Sequence, residues 1–302
     1  MYKTIKDILS ESLIEIKESS DNSLSLSRLD IEYCLMEALK KSKEYLYSYP
    51  EKIIDDSQMV KFESLFSSRL SGKPMAYILG YHDFYKYRFE INQNVLIPRN
   101  ETEIIVPKIL EVGDQIFHKI GELRVIDAGS GSGCIGISIA KERKNWDVLL
   151  IEKSEKAIKL LKKNKSHHLV NNVKIIHSDW LTSIQANSID MVISNPPYIA
   201  KNSKFINKYV DKYEPELSLY SKENGFFDLR KLIVASRKAL KNDGVLILEN
   251  GYDQSDKVMR CLKENYYKDI DIILDYNEIK RFTLSRNSNY EQKDNSQNCR
   301  SS

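Results

Sequence analysis

Residues 124–133 read Arg-Val-Ile-Asp-Ala-Gly-Ser-Gly-Ser-Gly, a short apolar strand that runs into a glycine-rich turn. A helical spacing of apolar side chains follows at once. Strand, glycine turn and helix form the first half of a nucleotide-binding α/β unit, because glycine lets the backbone turn sharply and approach a ligand closely. The stretch therefore predicts a Rossmann-like α/β domain with a ligand at the turn. The G-x-G-x-x-G pattern of Gly131, Gly133 and Gly136 is by itself a weak signal.

Acidic and aromatic residues stand at the carboxyl ends of two later predicted strands. The strand 148–151 ends at Glu152, and the strand 173–177 leads to Asp179 and Trp180. Glu152 is placed to accept hydrogen bonds from ribose hydroxyls, while an Asp can accept from an adenine amine and an aromatic ring can stack on adenine. Simple core packing is the alternative for Trp180. Together these residues favour S-adenosylmethionine over a nicotinamide cofactor.

A fourth strand, 189–194, ends in Asn195-Pro196-Pro197-Tyr198. Proline has no N–H for a sheet and a fixed φ, so the strand must end there in a stiff turn. The turn offers the Asn195 carboxamide oxygen and the carbonyl oxygens of Pro196 and Pro197 as acceptors. They can hold a planar NH2 group by both hydrogens, with the Tyr198 ring over one face. A methyltransferase acting on a planar nitrogen is predicted; a proline-rich turn without a catalytic role is the alternative.

The predicted site divides into three sets of residues. Catalysis is assigned to Asn195, Pro196 and Tyr198, and the substrate is expected to touch Asn195, Pro196, Pro197 and Tyr198. The cofactor is expected to bind Asp127, Gly129, Ser130, Gly131, Ser132, Gly133, Glu152, Asp179, Trp180 and Asn195. None of the five histidines is assigned a role, because an N-methylated amide cation loses its proton without a base. No metal is expected, since the four cysteines lack metal-ligand spacing.

Composition indicates a soluble enzyme. Charged residues make up 29% and hydrophobic residues 41% of the 302-residue sequence, as is usual for a globular cytosolic protein. A net charge of +3 is too small to indicate stable nucleic-acid binding. The first residues contain no apolar signal segment and no apolar run approaches roughly 18 residues, so neither secretion nor membrane spanning is expected. We expect a cytoplasmic monomer.

Glycine usage divides the chain into regions. None of the 11 glycines precedes Gly72, and apolar residues before it recur at helical spacing. Alternating aromatic and polar residues between Tyr77 and Ile91 predict a hairpin or two short strands. The expected regions are a helical domain over 1–73, a β-hairpin connector over 74–98, a methyltransferase domain over 99–286 and a disordered tail over 287–302. Pattern alone leaves the helical domain open between partner recognition and structural support.

Seven strands and several helices are predicted for the methyltransferase region, which gives a mixed sheet. The strands are expected at 124–127, 148–151, 173–177, 189–194, 244–249, 269–274 and 281–284. Helices are expected at 229–240 and 254–265, after the Asn195 turn.

These motifs resemble the protein-(glutamine-N5) methyltransferases, in particular their peptide chain release factor branch (PrmC/HemK). The resemblance covers residues 74–286 and, more loosely, the helical front. It is carried by Tyr77-Ile78-Leu79-Gly80, Asp83-Phe84-Tyr85, residues 94–99, Glu101-Thr102-Glu103, residues 129–133, Asp179-Trp180, residues 194–199, Glu214-Pro215, Leu248-Glu249 and Gln254. The Glu-Thr-Glu segment favours this branch over a sister branch that modifies a ribosomal protein. The departures from the pattern, which remove no group that the chemistry needs, are Asn100, Glu152, Phe226-Phe227 and Asn250.

The resemblance implies an activity and a partner. The enzyme would methylate N5 of the glutamine in the Gly-Gly-Gln loop of class I peptide chain release factors, with S-adenosylmethionine as methyl donor and the helical domain docking the protein substrate. Two alternatives stay open. Methylation of an exocyclic amine in DNA or RNA would need a basic groove and a target-recognition insert. A nicotinamide-dependent oxidoreductase would explain neither the Asp179-Trp180 pair nor the Asn195 turn.

Overall fold

A computed structural model describes residues 3–18, 24–203 and 206–288. Internal contacts divide the chain into two compact units. The first takes its described residues from 1–82, 91–93 and 204–215, and the second from 83–90, 94–203 and 216–288.

The first unit is helical. Its helices are α1 (Ile5–Glu18), α2 (Arg28–Leu39), α3 (Lys43–Ser48), α4 (Asp56–Leu70), α5 (Met75–Leu79) and, from a later part of the chain, α10 (Lys208–Tyr213). The Asp55 carboxylate begins α4 by accepting the Gln58 N–H at 2.9 Å, a standard N-cap. Arg69 on α4 donates to Asp30 on α2 at 2.6 Å, and both side chains are largely buried.

A hairpin follows, but it begins later than predicted. Its strands are β1 (Tyr81–Phe84) and β2 (Tyr87–Glu90). The expectation of extended structure from Tyr77 is wrong, because Tyr77 to Leu79 lie in α5. The Pro74 carbonyl accepts the Tyr77 N–H at 3.0 Å, which starts this helical turn. Gly80 ends it with a φ of 80°, a left-handed conformation that glycine adopts at little cost.

The second unit contains a seven-stranded mixed sheet. Its strands are β3 (Arg124–Ala128), β4 (Asp147–Glu152), β5 (Val173–His177), β6 (Ile189–Ser194), β7 (Leu240–Glu249), β8 (Tyr267–Leu274) and β9 (Lys280–Asn287). They lie in the order β5-β4-β3-β6-β7-β9-β8. Strands β3 to β7 are parallel, and β9 pairs antiparallel with both β7 and β8. The predicted Rossmann-like sheet is therefore confirmed.

Eight helices of the second unit are found among the described residues. They are α6 (Asn100–Glu103), α7 (Ile105–Ile120), α8 (Cys134–Glu142), α9 (Glu155–His167), α11 (Glu216–Leu219), α12 (Lys222–Gly225), α13 (Phe227–Ala239) and α14 (Ser255–Glu264). The central strands β3 and β6 are buried almost throughout, as parallel strands covered on both faces must be. In the described ranges, no helix has the length and apolar character needed to cross a membrane.

Strand order brings the predicted motifs to one edge of the sheet. Strand β3 pairs on one side with β4, the next strand in the sequence, and on the other side with β6, which comes later. Ligands of open α/β sheets bind at such a reversal point, outside the carboxyl ends of the strands. Strand β9, which lies between β7 and the edge strand β8, continues through Asn287, whose amide donates to the Leu240 carbonyl at 3.1 Å. The tail predicted from residue 287 thus starts too early, and 289–302 lie outside the described residues.

Candidate active site

The glycine turn follows β3 and leads into α8. Its backbone has positive φ at Gly129 (76°), Gly131 (55°) and Gly133 (83°). Residues other than glycine rarely adopt this conformation. A Cβ added at Gly129 would lie 3.0 Å from the Trp180 ring. The predicted turn therefore depends on glycine for both backbone conformation and close approach of an indole ring.

Two buried carboxylates hold the turn in shape. Asp127 accepts the Gly136 N–H at 2.9 Å, and Glu152 Oε2 accepts the Gly131 N–H at 2.9 Å. Glu152 Oε1 accepts the backbone N–H groups of residues 153 and 154, both at 2.8 Å. Each carboxylate oxygen has two lone pairs, so Glu152 can still accept from a ribose hydroxyl. The Ser130 hydroxyl donates to the Asp127 carbonyl at 2.7 Å, and thus serves the turn itself.

The other predicted serine of the turn, Ser132, is buried and its carbonyl accepts from the Asn164 amide at 2.9 Å. Asn164 also accepts the Glu90 N–H at 2.8 Å. This asparagine, which the sequence did not single out, therefore fixes the turn to the end of β2. The Ser130 hydroxyl is engaged by the turn and Ser132 is buried. The cofactor role of these two serines stays a prediction.

Burial gives Asp127 an unusual titration. Desolvation, the largest cause, raises its pKa to about 7, and the nearby Glu152 charge acts in the same direction. Between pH 4 and 7 the folded protein therefore binds a proton at Asp127 that the unfolded chain releases. Stability from this group is complete below pH 4 and is lost as the pH rises through about 7. We expect Asp127→Asn, which keeps an acceptor for Gly136, to remove this decline.

The measurement is urea unfolding of both proteins at pH values from 5 to 8. The free energy of unfolding of the wild type should fall relative to that of Asp127→Asn across this range. A constant difference would show that Asp127 has the same pKa in both states. Asp190→Asn is the control for replacing a buried carboxylate of the sheet by an amide at a different position.

Asp179 and Trp180 follow β5, as predicted, and each has a partner. The Lys231 ammonium donates to Asp179 at 2.7 Å, and this hydrogen bond is the main reason that the Asp179 pKa is lowered. Trp180 has a φ of 52°, and its indole N–H donates to Asp228 at 3.3 Å. The indole is partly buried against the core of the second unit. Position and partial exposure fit a stacking role, and Asp228 and Lys231 on α13 are the supporting residues that the sequence did not reveal.

The Asn195 turn begins at the end of β6. Ser194 donates to the Ala128 carbonyl at 2.6 Å, which joins the end of β6 to the end of β3. The Asn195 side-chain nitrogen donates to the Thr102 hydroxyl oxygen at 3.3 Å. Its Oδ1 is therefore the end of the carboxamide that remains for another donor. Pro196 is buried and Pro197 is partly buried.

The Tyr198 carbonyl is fixed by close contacts. Gln254 donates to it at 3.0 Å through Nε2. A Cβ added at Gly225, which has a φ of 87°, would lie 2.2 Å from the same oxygen. Gln254 also accepts the Gly251 N–H at 3.0 Å. The Asn195 turn is thus held from the α14 side by a buried amide as well as by its own prolines.

A buried carboxylate, Glu249, lies at the centre of the turn's side-chain contacts. Its Oε2 accepts from the Thr102 hydroxyl at 2.7 Å, and its Oε1 accepts from the Tyr198 hydroxyl at 3.0 Å. Burial raises the pKa of Glu249, while the Thr102 and Tyr198 hydrogen bonds and the Arg281 charge oppose that rise. Burial, with the Glu249 charge, also raises the pKa of Tyr198. The tyrosine is therefore a neutral hydrogen-bond donor at physiological pH.

Thr102 and Glu249 were missed as site residues by sequence reasoning, although both belong to motifs of the resemblance. A signal was present for Glu249, because it stands at the carboxyl end of a strand, as Glu152 does. In the described segments, no cluster of three or more His, Cys, Asp or Glu side chains is arranged to hold a metal ion.

Two family models match the chain. Residues 114–212 match the model described as the methyltransferase small domain, and residues 20–80 match the PrmC N-terminal domain. The first match lies within the predicted methyltransferase domain, and the second covers most of the predicted helical domain and the first seven residues of the predicted connector.

Curated relatives align over almost the whole chain. The release factor glutamine methyltransferase of Shewanella oneidensis is 30% identical over 93% of this chain and 96% of its own length. That of Coxiella burnetii is 32% identical over 91% of this chain and 99% of its own length. Among solved structures, the hMettl16 catalytic domain has a TM-score of 0.52 and 17% identity, covering 82% of this chain and 93% of that one. This structural likeness shows a shared fold.

Proposed function

We infer that this chain, which belongs to the release factor glutamine methyltransferase family, transfers a methyl group from S-adenosylmethionine to the side-chain amide nitrogen of a release factor glutamine. The observation that carries this conclusion is the orientation of Asn195. Its nitrogen is engaged by Thr102 at 3.3 Å, so Oδ1 is left to accept from a planar NH2 group. We propose that the target is the glutamine of the Gly-Gly-Gln loop in class I release factors.

The residues around the glycine turn fit the methyl donor. Glu152 has lone pairs left for the ribose, Asp179 is an ionised acceptor for the adenine amine, and Trp180 offers a ring face. Because Gly129 has no side chain, the turn can approach the Trp180 ring closely. When bound there, S-adenosylmethionine supplies a methyl group made electrophilic by its sulfonium charge.

The remaining chemical difficulty is the weak nucleophilicity of an amide nitrogen, whose lone pair is delocalised into the carbonyl. In our proposal, Asn195 Oδ1 and the Pro196 carbonyl accept the two amide hydrogens, which raises electron density on nitrogen and fixes its direction. The Tyr198 ring covers one face of the amide. Preorganised groups of this kind contribute roughly 3–4 kcal/mol each when they face developing charge. Orientation in a site without water adds several kcal/mol more.

The other expectations from the sequence remain proposals. We propose that the helical unit binds the release factor protein and that the enzyme acts as a cytoplasmic monomer. The free thiols Cys34, Cys134 and Cys261 are consistent with a reducing compartment. We also propose that it forms no stable complex with nucleic acid, since a net charge of +3 provides little attraction for a phosphate backbone.

A transfer assay tests the proposed function. The purified chain is incubated with methyl-labelled S-adenosylmethionine in three separate reactions, which contain a class I release factor, DNA or RNA. We expect label in the release factor, located to one glutamine by peptide mass spectrometry. Label in nucleic acid but not in the release factor would instead support the base-amine alternative.

Trp180→Ala should weaken S-adenosylmethionine binding by roughly 1–3 kcal/mol, because the mutant loses the ring face for adenine. Calorimetric titration measures the effect. Trp180→Phe is the matched control, since it keeps a ring but loses the hydrogen bond to Asp228, and it should retain most of the affinity. An unchanged dissociation constant for Trp180→Ala would assign the indole to core packing alone.

A further inference from the structure

Thr102 lies between Asn195 and Glu249 and has a single hydroxyl proton. That proton is donated to Glu249 Oε2 at 2.7 Å. The Thr102 oxygen can then only accept, and it accepts from Asn195 Nδ2 at 3.3 Å. A carboxamide turned the other way would place Asn195 Oδ1 against an oxygen that has no proton left to give. The orientation of the Asn195 carboxamide is therefore determined by the Glu249 carboxylate through the Thr102 hydroxyl.

We propose that Glu249, acting through Thr102, fixes which end of the Asn195 carboxamide faces the target nitrogen. Thr102 and Glu249 are positioning residues in this role, and Asn195 remains the group that contacts the substrate. The inference rests on the proposed function, because only a target with N–H donors requires Oδ1 to face outward. It also explains why a carboxylate is kept in a buried place where its ionised form is costly.

The second oxygen of Glu249 has a related role. Oε1 accepts from the Tyr198 hydroxyl at 3.0 Å. Each Glu249 oxygen therefore accepts one O–H donor, from Thr102 or from Tyr198. In the proposed site Thr102 holds the Asn195 carboxamide, and Tyr198 covers one face of the target amide. Because Glu249 is 2% exposed and Thr102 is 2% exposed, water has little access to replace either bond. One carboxylate thus positions the acceptor at Asn195 and the ring at Tyr198.

The decisive experiment exchanges the amide at position 195 and the carboxylate at position 249, which reverses the hydrogen bonds of the Thr102 hydroxyl. Asn195→Asp places an acceptor-only oxygen against Thr102, so kcat should fall roughly 10- to 100-fold. Adding Glu249→Gln allows the new amide to donate to the Thr102 oxygen, which frees the Thr102 proton for the new carboxylate. The double variant should therefore be faster than Asn195→Asp alone. Glu101→Gln is the matched control, because it removes a negative charge that acts on Glu249 while leaving Thr102 and Glu249 themselves unchanged.

The comparison of the two double variants decides the proposal. A larger gain in kcat from Glu249→Gln than from Glu101→Gln, in the Asn195→Asp background, supports it. An equal or smaller gain, including none, would overturn it, because relief of charge repulsion would then explain any recovery. Transfer by the wild type reports on the proposed function separately: its absence refutes that function, whereas wild-type transfer without the selective gain refutes only the positioning role.

A second pair of variants covers failure of the double variants to fold. Thr102→Val removes the hydroxyl at constant volume and should lower kcat roughly 10- to 100-fold with unchanged S-adenosylmethionine affinity. Thr102→Ser restores the hydroxyl and should restore kcat. Thr283→Val is the control for loss of a buried threonine hydroxyl, since Thr283 donates to Asn250 at 3.1 Å outside this network. Equal kcat for the Val and Ser variants, or loss of cofactor affinity in Thr102→Val, contradicts a positioning role.

Discussion

Asn195→Ala is expected to lower kcat for release factor methylation roughly 10²–10³-fold while the affinity for S-adenosylmethionine changes little. The mutation removes the side-chain acceptor from a turn that the Ser194 hydrogen bond to Ala128, 2.6 Å long, and the two prolines keep in place. The glycine turn and Glu152 are held by their own backbone hydrogen bonds. The loss should therefore appear in the chemical step. Single-turnover transfer measures that step, and calorimetry measures cofactor binding.

Asn172→Ala is the matched control for this prediction. Asn172 donates to three backbone carbonyls, those of residues 140, 143 and 146, at 3.0–3.2 Å, and so has a structural role away from the turn. Its loss should lower the unfolding temperature without a selective effect on kcat. If Asn195→Ala methylates at nearly the wild-type rate, the amide is not gripped by this residue. A parallel loss of cofactor affinity would instead show that the contact of Asn195 with the cofactor, which the sequence also predicts, outweighs its role in the chemical step.

The strands and their functional tips could be predicted because local signals coincide there. Apolar runs that stop at glycine, proline or an acid identify where parallel strands end, and Glu152 and Asn195 both lie where this pattern places them. The start of the hairpin was mispredicted for the opposite reason. The aromatic alternation from Tyr77 is compatible with a strand, but the hydrogen bonds to the Pro74 carbonyl close a helical turn first.

The contacts of the Asn195 turn could not be derived from the sequence, because they depend on the sheet register. Ser194 pairs with Leu248 in the parallel alignment of β6 and β7, so Asn195, just after β6, and Glu249, the last residue of β7, stand at adjacent strand ends. Thr102 comes from α6, far earlier in the chain. Only the fold shows that one threonine lies between the two. The same holds for Lys231, whose bond to Asp179 joins α13 to the end of β5.

Replacing the loop glutamine of the release factor with alanine should abolish label transfer, the largest effect expected in this system. The site as proposed acts on one NH2 group, and alanine offers none. The acceptors that hold this group, Asn195 Oδ1 and the Pro196 carbonyl, belong to a stiff turn and cannot follow a different side chain. Glutamine→Asn is the matched control because it keeps the amide and shortens the side chain by one methylene. Misplacement by about 1 Å can cost 10²-fold, so slow transfer is expected.

The assay compares three release factors (wild type, alanine and asparagine variants) with the same enzyme and methyl-labelled cofactor, each product being mapped by mass spectrometry. Transfer should be fastest to the wild-type release factor, slower to the asparagine variant and absent with the alanine variant. Undiminished label in the alanine variant would place the methyl group on another residue and refute glutamine as the target.

Nucleic-acid substrates would behave differently, since each phosphate contact steepens the dependence of affinity on salt. With a net charge of +3 in the enzyme, transfer to the wild-type loop should instead vary little with salt, and a steep decline would indicate charge pairs between the enzyme and the release factor.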